Sequence, residues 1–123
     1  MTFPSYQQLE IRWIDLEPTR GAETQKKRPC VILQSNSVNQ GSRTLIVAPI
    51  LPGHKDWPFA VNLSPTKQNG LDKDRHINIK QLRASDISRV NNRQGILEGS
   101  YLEAVHDAVK IVFGISDALN HQR

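Results

Sequence analysis

The sequence predicts a mainly β, antiparallel α+β or small-barrel domain closed by a C-terminal helix. Three observations point there. Short apolar runs bounded by turn residues fill the first two thirds of the chain. Helical spacing takes over only in the last third. The chain has 123 residues and no repeat or low-complexity tract, so residues 1–123 make a single domain with one modest core. Strands first and a helix last favour an antiparallel sheet over the alternating pattern of a parallel one.

The elements follow in order. Glu10 to Leu16 mixes β-branched and aromatic residues with polar ones at every second or third place, as a strand does. Cys30 to Gln34 is apolar on both faces, as in a central strand. Arg43 to Leu51 (RTLIVAPIL) is the third strand, preceded by the turn-like Asn39-Gln40-Gly41-Ser42. Pro49 cannot donate a ladder hydrogen bond, so that end belongs at an edge or bulge. Trp57 to Leu63 (WPFAVNL) is the fourth, with Phe59, Val61 and Leu63 on one face, and Asn69-Gly70 then reads as a turn. His76 to Arg83 (HINIKQLR) alternates as one strand, with Ile77, Ile79 and Gln81 on one side and Asn78, Lys80 and Leu82 on the other. Ser85 to Arg89 reads as a short extra helical turn. Ser100-Tyr101-Leu102-Glu103 fits a capping box. Leu102, Val105, Val109, Val112 and Phe113 recur at helical spacing, and Gly114 sits where such a helix stops.

Composition narrows the function classes. Net charge is +4 and the sequence pI is about 9.5, which favours a polyanionic partner without requiring one. The single cysteine, Cys30, lies in an apolar run; it reads as a small core residue, and a lone thiol suggests a reducing compartment. No apolar run approaches the ~20 residues needed to span a membrane. The opening MTFPSYQQLE lacks the basic-then-apolar order of a signal peptide, so the expected location is cytoplasmic. There is no glycine-rich phosphate loop, no paired zinc-ligand spacing and no nucleophile elbow, and neither metal nor cofactor is expected.

The densest chemistry lies between the first two strands. Between Pro18 and Pro29 stand Arg20, Lys26, Lys27 and Arg28 against one acid, Glu23. Pro29 biases Arg28 toward extended backbone, which places it at a strand entrance. A guanidinium held there offers planar, bidentate donors to a phosphate and keeps its charge at any physiological pH. The same run is also consistent with a solvated loop end, and the residues alone leave both readings open. His54, in the loop beside Lys55, Asp56 and Trp57, is a second candidate because loops carry function disproportionately. His106 and His121 read as structural or solvated.

DLEPTRGAETQKKRPCVILQSN (Asp15 to Asn36) resembles the MazF/PemK toxin family, whose pattern runs D-x-x-P-x-x-G-[SH]-E-Q-x-x-x-R-P. Asp15, Pro18, Gly21, Glu23, Arg28 and Pro29 fall in register. The likeness continues through IVAPI (Ile46 to Ile50), WPFAV (Trp57 to Val61), GLDKD (Gly70 to Asp74), QLRASDISR (Gln81 to Arg89) and the helix ending Val112-Phe113-Gly114. It covers residues 9–115 as an ordered series, which is far more specific than the Arg-Pro junction alone.

The resemblance implies a small SH3-like antiparallel barrel of the MazF/PemK/CcdB type with a C-terminal helix, assembled as a homodimer. It implies a toxin that cuts single-stranded RNA at specific sequences without a metal, through 2′-hydroxyl attack that leaves 2′,3′-cyclic phosphate and 5′-hydroxyl ends. Its partners are single-stranded RNA and a cognate antitoxin that covers the RNA groove. Arg28 matches the family's key arginine and would stabilise phosphorane charge. Glu23 matches the loop acid, as a base or as an organiser of Arg28. Gln81 matches an RNA-contacting glutamine, and Arg20, Lys26, Lys27, Lys80 and His54 join it as expected RNA contacts.

The departures from the pattern also carry information. Leu51 stands where many members have a hydroxyl residue after the third strand, Lys80 where many have a carboxylate, and Leu9 where a glycine usually precedes the first-strand acid. Thr24, Lys80 or His54 are then the groups able to substitute. Two alternatives follow: a weakened RNA- or antitoxin-binding protein on the same fold, motivated by Leu51 and Lys80, and a CcdB-like gyrase-directed toxin. The second is disfavoured by the polar end Ala118 to Arg123.

Overall fold

The computed structural model describes residues 5–23 and 26–115. Seven strands run in chain order: β1 (Glu10–Asp15), β2 (Lys27–Ile32), β3 (Thr44–Pro52), β4 (Ala60–Leu63), β5 (Arg75–Asn78), β6 (Arg83–Asp86) and β7 (Val90–Ile96). A single helical turn, α1 (Asn36–Asn39), precedes β3, and α2 (Leu102–Phe113) follows the sheet. Every ladder is antiparallel. The order is β4-β5-β3-β2-β1-β7, with β6 attached to β3. Among the described residues no ladder joins β4 to β7, so the sheet is barrel-like but open.

β3 organises this arrangement. On one side its residues Val47 to Pro49 pair with β2. On the other it serves two partners in turn, β6 along Thr44 to Val47 and β5 along Ile50 to Pro52. Pro49 therefore does not mark an edge, as its chemistry suggested. It lies buried in a central strand, in the gap where one partner has ended and the next begins. A residue without an N–H is tolerated there because the outer side has no ladder to complete.

The same changeover breaks the strand expected over His76 to Arg83. β5 ends at Asn78, a 3-10 turn covers Ile79–Gln81, and β6 starts at Arg83. The Leu82 N–H closes the turn on the Ile79 carbonyl at 3.1 Å. The fourth strand is shorter than expected, because Trp57 to Phe59 form a turn closed by the Ala60 N–H on the Trp57 carbonyl. The extra turn expected at Ser85 to Arg89 is a 3-10 turn at Ile87–Arg89, where the Asp86 side chain accepts from the Ser88 N–H.

Alternation sorts the apolar residues into two clusters. Ile11, Val31, Ala48, Ile50, Val61 and Ile77 pack with Val105 and Ala108 of α2. Ile14, Leu16, Cys30, Ile32, Leu45 and Val47 form the other, with Cys30 fully buried as a small core residue. Each such aliphatic side chain contributes roughly 1.5–3 kcal/mol by leaving water. α2 stops where its glycine predicts. Gly114 adopts φ 64°, its N–H meets the Ile111 carbonyl, and the Ile115 N–H reaches Lys110. The expected Ser100 capping box does not form: a 3-10 turn at Gly99–Tyr101 winds directly into α2, which leaves Ser100 inside the helical run. Among the described residues no helix is long and apolar enough to cross a membrane.

β7 is held to β1 by buried charge and by close backbone approach. The Glu10 carboxylate, 6% exposed, meets Arg12 at 3.1 Å and Arg93 at 3.2 Å. At the expected Asn69-Gly70 turn, a side chain on Gly95 would strike the Asn69 carbonyl at 2.5 Å, so only glycine fits.

Leu9 stands where the resemblance leads one to expect glycine, and its φ of 73° is the conformation glycine favours. The left-handed backbone costs about 1–2 kcal/mol. Leu9 is nonetheless 8% exposed and packs in the α2 cluster, and truncating such a leucine costs about 2–5 kcal/mol. Burial outweighs strain. We predict that Leu9→Gly lowers the urea midpoint despite relieving the backbone; a rise in midpoint would reverse that ranking.

Candidate functional site

The 3-10 turn between β5 and β6 opens a cavity of about 580 Å³. One wall is aromatic: Trp57 and Phe59 stack with centroids 5.4 Å apart and planes at 23°. Leu16, Ala22 and Glu23, from the loop that follows β1, also line it. Pro49 and Asn78 are contributed by β3 and β5, while Lys80, Gln81, Leu82 and Arg83 complete the lining. Lys80 Nζ sits 5.6 Å above the Phe59 ring, and Lys55 Nζ 5.3 Å above Trp57. Arg83 is fixed by donating from Nη1 to the Leu16 carbonyl at 3.1 Å, and Arg89 holds the neighbouring Asp15 carbonyl. The cavity thus offers a flat ring system to stack on and cations to balance an anion.

Arg28 lies on β2, as its position before proline required, and it is half-buried. It faces Ile14 across the ladder and borders a second, smaller cavity of about 340 Å³ with Trp13, Lys27, Asp72, Arg75 and Gln94. Alternation along β2 puts Arg28 on the same face as Cys30. Cys30 is opposite Pro49, which lines the larger cavity. Burial pushes the Cys30 thiol up from 9.0 to about 12, against the opposing pull of Arg83 and Arg28. Two cations, one from each cavity, therefore act on a single buried thiol.

The remaining expected residues are dispersed. Glu23 lines the larger cavity and accepts from the Arg20 backbone N–H, so its carboxylate organises the loop itself. Lys80 and Gln81 line that cavity too. Lys27 borders the smaller one. Arg20 and Lys26 are exposed in the loop, and Lys26 adopts φ 70° with its N–H on the Glu17 carboxylate. His54 Nε2 donates to the Leu63 carbonyl at 2.9 Å and lines neither cavity. Thr24 lies outside the described residues. Leu51 is half-buried and pairs with His76 across β3 and β5.

Most of the lining was not marked by the sequence as site residues. Trp57 and Phe59 were visible only as strand aromatics, and Asn78 and Arg83 only as positions in the alternating run from His76 to Arg83. The aromatic pair two residues apart, flanked by Lys55, was the one signal available.

The elevated thiol gives a direct check. Its raised pKa adds stability that is complete below the unfolded value of 9.0 and is lost as pH climbs toward 12. We predict that Cys30 resists iodoacetamide at pH 8 in the native protein and reacts on unfolding in urea. Rapid native labelling would show that the thiol is accessible and ionised.

Residues 7–113 match the family described as PemK-like, MazF-like toxin of type II toxin-antitoxin system. An Endoribonuclease MazF from Staphylococcus epidermidis is 32% identical over 114 residues, covering 92% of this chain and 95% of the relative. MazF from Deinococcus radiodurans superposes with a TM-score of 0.77 at 19% identity, covering 92% of this chain and all of that one. Mycobacterium tuberculosis toxin MazF-mt6 gives 0.74 at 20% identity, with 87% and 98% covered. The structural likenesses establish the fold. The match to the family over residues 7–113 and the 32% identical relative mean that this chain belongs to the PemK-like, MazF-like toxin family of type II toxin-antitoxin systems.

Proposed function

We propose that this chain is an endoribonuclease toxin that cleaves single-stranded RNA, acts in the cytoplasm as a homodimer and is held in check by a cognate antitoxin. What supports the reading is family membership together with Arg28, half-buried on β2 at the smaller cavity, and an aromatic cavity lined by Pro49, which pairs with Cys30 two residues along the same strand. Stacking on Trp57 and Phe59 suits an unpaired base, and Lys80 and Arg83 suit the backbone beside it.

In the proposed reaction the ribose 2′-hydroxyl loses its proton and its oxygen bonds the adjacent phosphorus. The bond from phosphorus to the 5′-oxygen breaks, and that oxygen takes up a proton. Negative charge builds on the phosphoryl oxygens between these events, and Arg28 is assigned to stabilise it. An arginine stays charged throughout, so it serves as electrostatic partner rather than base. Glu23 holds the loop around the site through the Arg20 N–H. Leu51 supplies no hydroxyl and Lys80 no carboxylate, so the charge falls to the guanidinium groups.

The gyrase-directed alternative is set aside by the family match, and the polar end that first disfavoured it, Ala118 to Arg123, lies outside the described residues. The test is incubation of the pure protein with a long RNA in chelator, with cut sites mapped by primer extension. The expected result is discrete cuts with cyclic-phosphate ends, slowed about 100-fold or more by Arg28→Ala. An intact RNA pool despite tight binding would favour a binding protein on this scaffold instead.

A further inference from the structure

We infer that the smaller cavity is a second base-stacking subsite for single-stranded RNA, with the Trp13 indole as its platform and Lys27 as its phosphate contact. The inference rests on reading this chain as an RNA-cleaving toxin, and it gives the strand a place beyond the larger cavity.

Trp13 lies in the middle of β1, yet 41% of it is exposed, whereas Ile11 and Ile14 on the same strand are fully buried. Its neighbours explain the difference. On β2 it pairs with Pro29. On β7 no residue pairs with it: Arg12 is opposite Arg93 and Ile14 is opposite Val90, so Asn91 and Asn92 together face the one residue between them. Two residues against one make a β-bulge, which interrupts the ladder and re-aims side chains. Arg12 pins the bulge by donating from Nη1 to the Asn91 carbonyl at 3.2 Å. A regular strand thus carries an exposed indole beside a break in the sheet.

The space next to that indole is concave and mostly cationic. Lys27 precedes Pro29 by two residues on β2, so it shares the face of Trp13, and it is exposed. Arg28 and Arg75 border the same cavity, against one acid, Asp72. Arg75 donates from Nη2 and Nε to Asp72 Oδ1 at 2.9 and 3.2 Å, which fixes the far wall. A flat ring beside cations is how proteins hold unpaired nucleotides without reading their edges, because every base has a π face. At about 340 Å³ the cavity is of a size for one nucleotide.

The two cavities are close in the sheet. Pro29 lines the smaller one, and Cys30, the next residue, pairs with Pro49 of the larger. A short oligonucleotide can therefore engage both. The Trp13 subsite has one ring where the larger cavity has two, so it is the weaker of the pair.

The test uses the full chain, whose two tryptophans are Trp13 and Trp57. Trp57→Phe leaves Trp13 as the sole indole fluorophore and keeps a ring in the larger cavity. The probe is a 2′-O-methyl RNA decamer, which lacks the attacking hydroxyl and cannot be cut. Saturating decamer is expected to quench Trp13 emission and to shield the ring from acrylamide. In the otherwise wild-type chain, Trp13→Leu should weaken decamer binding about tenfold, the loss of one base–aromatic stack. Trp13→Phe, which keeps a π face, should bind within about threefold of wild type. Lys27→Met should lower the slope of log affinity against log salt by about 0.7, the loss of one phosphate contact.

A decamer that binds while Trp13 emission and acrylamide access stay unchanged overturns the inference. So does a cooperatively melting Trp13→Leu that binds as tightly as wild type, or a Trp13→Phe that binds as weakly as Trp13→Leu. Trp13 emission that follows protein concentration and not RNA places the ring between copies of the chain, and also overturns it. If Trp13→Leu fails to melt cooperatively, the Trp57→Phe titration decides. Cleavage is scored separately. A wild type that binds through Trp13 but leaves ordinary RNA intact refutes the nuclease reading alone, whereas one that cuts RNA with Trp13 unaffected refutes only this inference.

Discussion

The divided outer edge of β3 is the constraint from which the rest follows. A nine-residue strand that pairs first with β6 and then with β5 leaves a gap between the two partners. The chain must cross that gap between Asn78 and Arg83, too short a distance for a loop of its own, and it does so in one 3-10 turn. That turn carries Lys80 and Gln81 and opens the larger cavity beside Pro49. Cavity and sheet topology are therefore one feature. A single continuous strand from His76 to Arg83 would have closed the gap and left no cavity there.

Electrostatics at this place are asymmetric. The charges of Arg83 and Arg28 both act on the buried Cys30, and burial still outweighs their combined pull on the thiol. The side chain is thus inert packing within reach of two cations. Acids nearby are occupied: Glu23 with the Arg20 backbone, Asp72 with Arg75 at 2.9 Å, and Glu10 with Arg12 and Arg93. The net charge of +4 is in keeping with a polyanionic ligand.

Much of the fold was legible because single residues enforce it. Gly114 ends α2 through its left-handed φ, Asn69-Gly70 turns, and the apolar runs of β1 to β3 bury where their patterns point. β7 was not legible. Val90–Ile96 presents Asn91, Asn92, Arg93 and Gln94, and its place is set by pairing with β1 and by the Glu10 ion pairs, neither of which leaves a periodic trace. The break at Ile79 was hidden for the opposite reason: Ile77 and Ile79 alternate as they would in an unbroken strand. The site divides likewise. Arg28 and Gln81 stand out through motif order, whereas Asn78 looked outward by alternation because the face opposite the core is here a cavity rather than solvent.

RNA seated in the cavity made by the β3 changeover is directly detectable by ultraviolet crosslinking of an uncleavable single-stranded RNA to the full chain, read by mass spectrometry of tryptic peptides. Crosslinks are expected to concentrate on the peptide carrying Trp57 and Phe59 and to fall when Trp57 is replaced by alanine. Crosslinks confined to the Trp13 peptide or to α2, with none at Trp57 or Phe59, would contradict it.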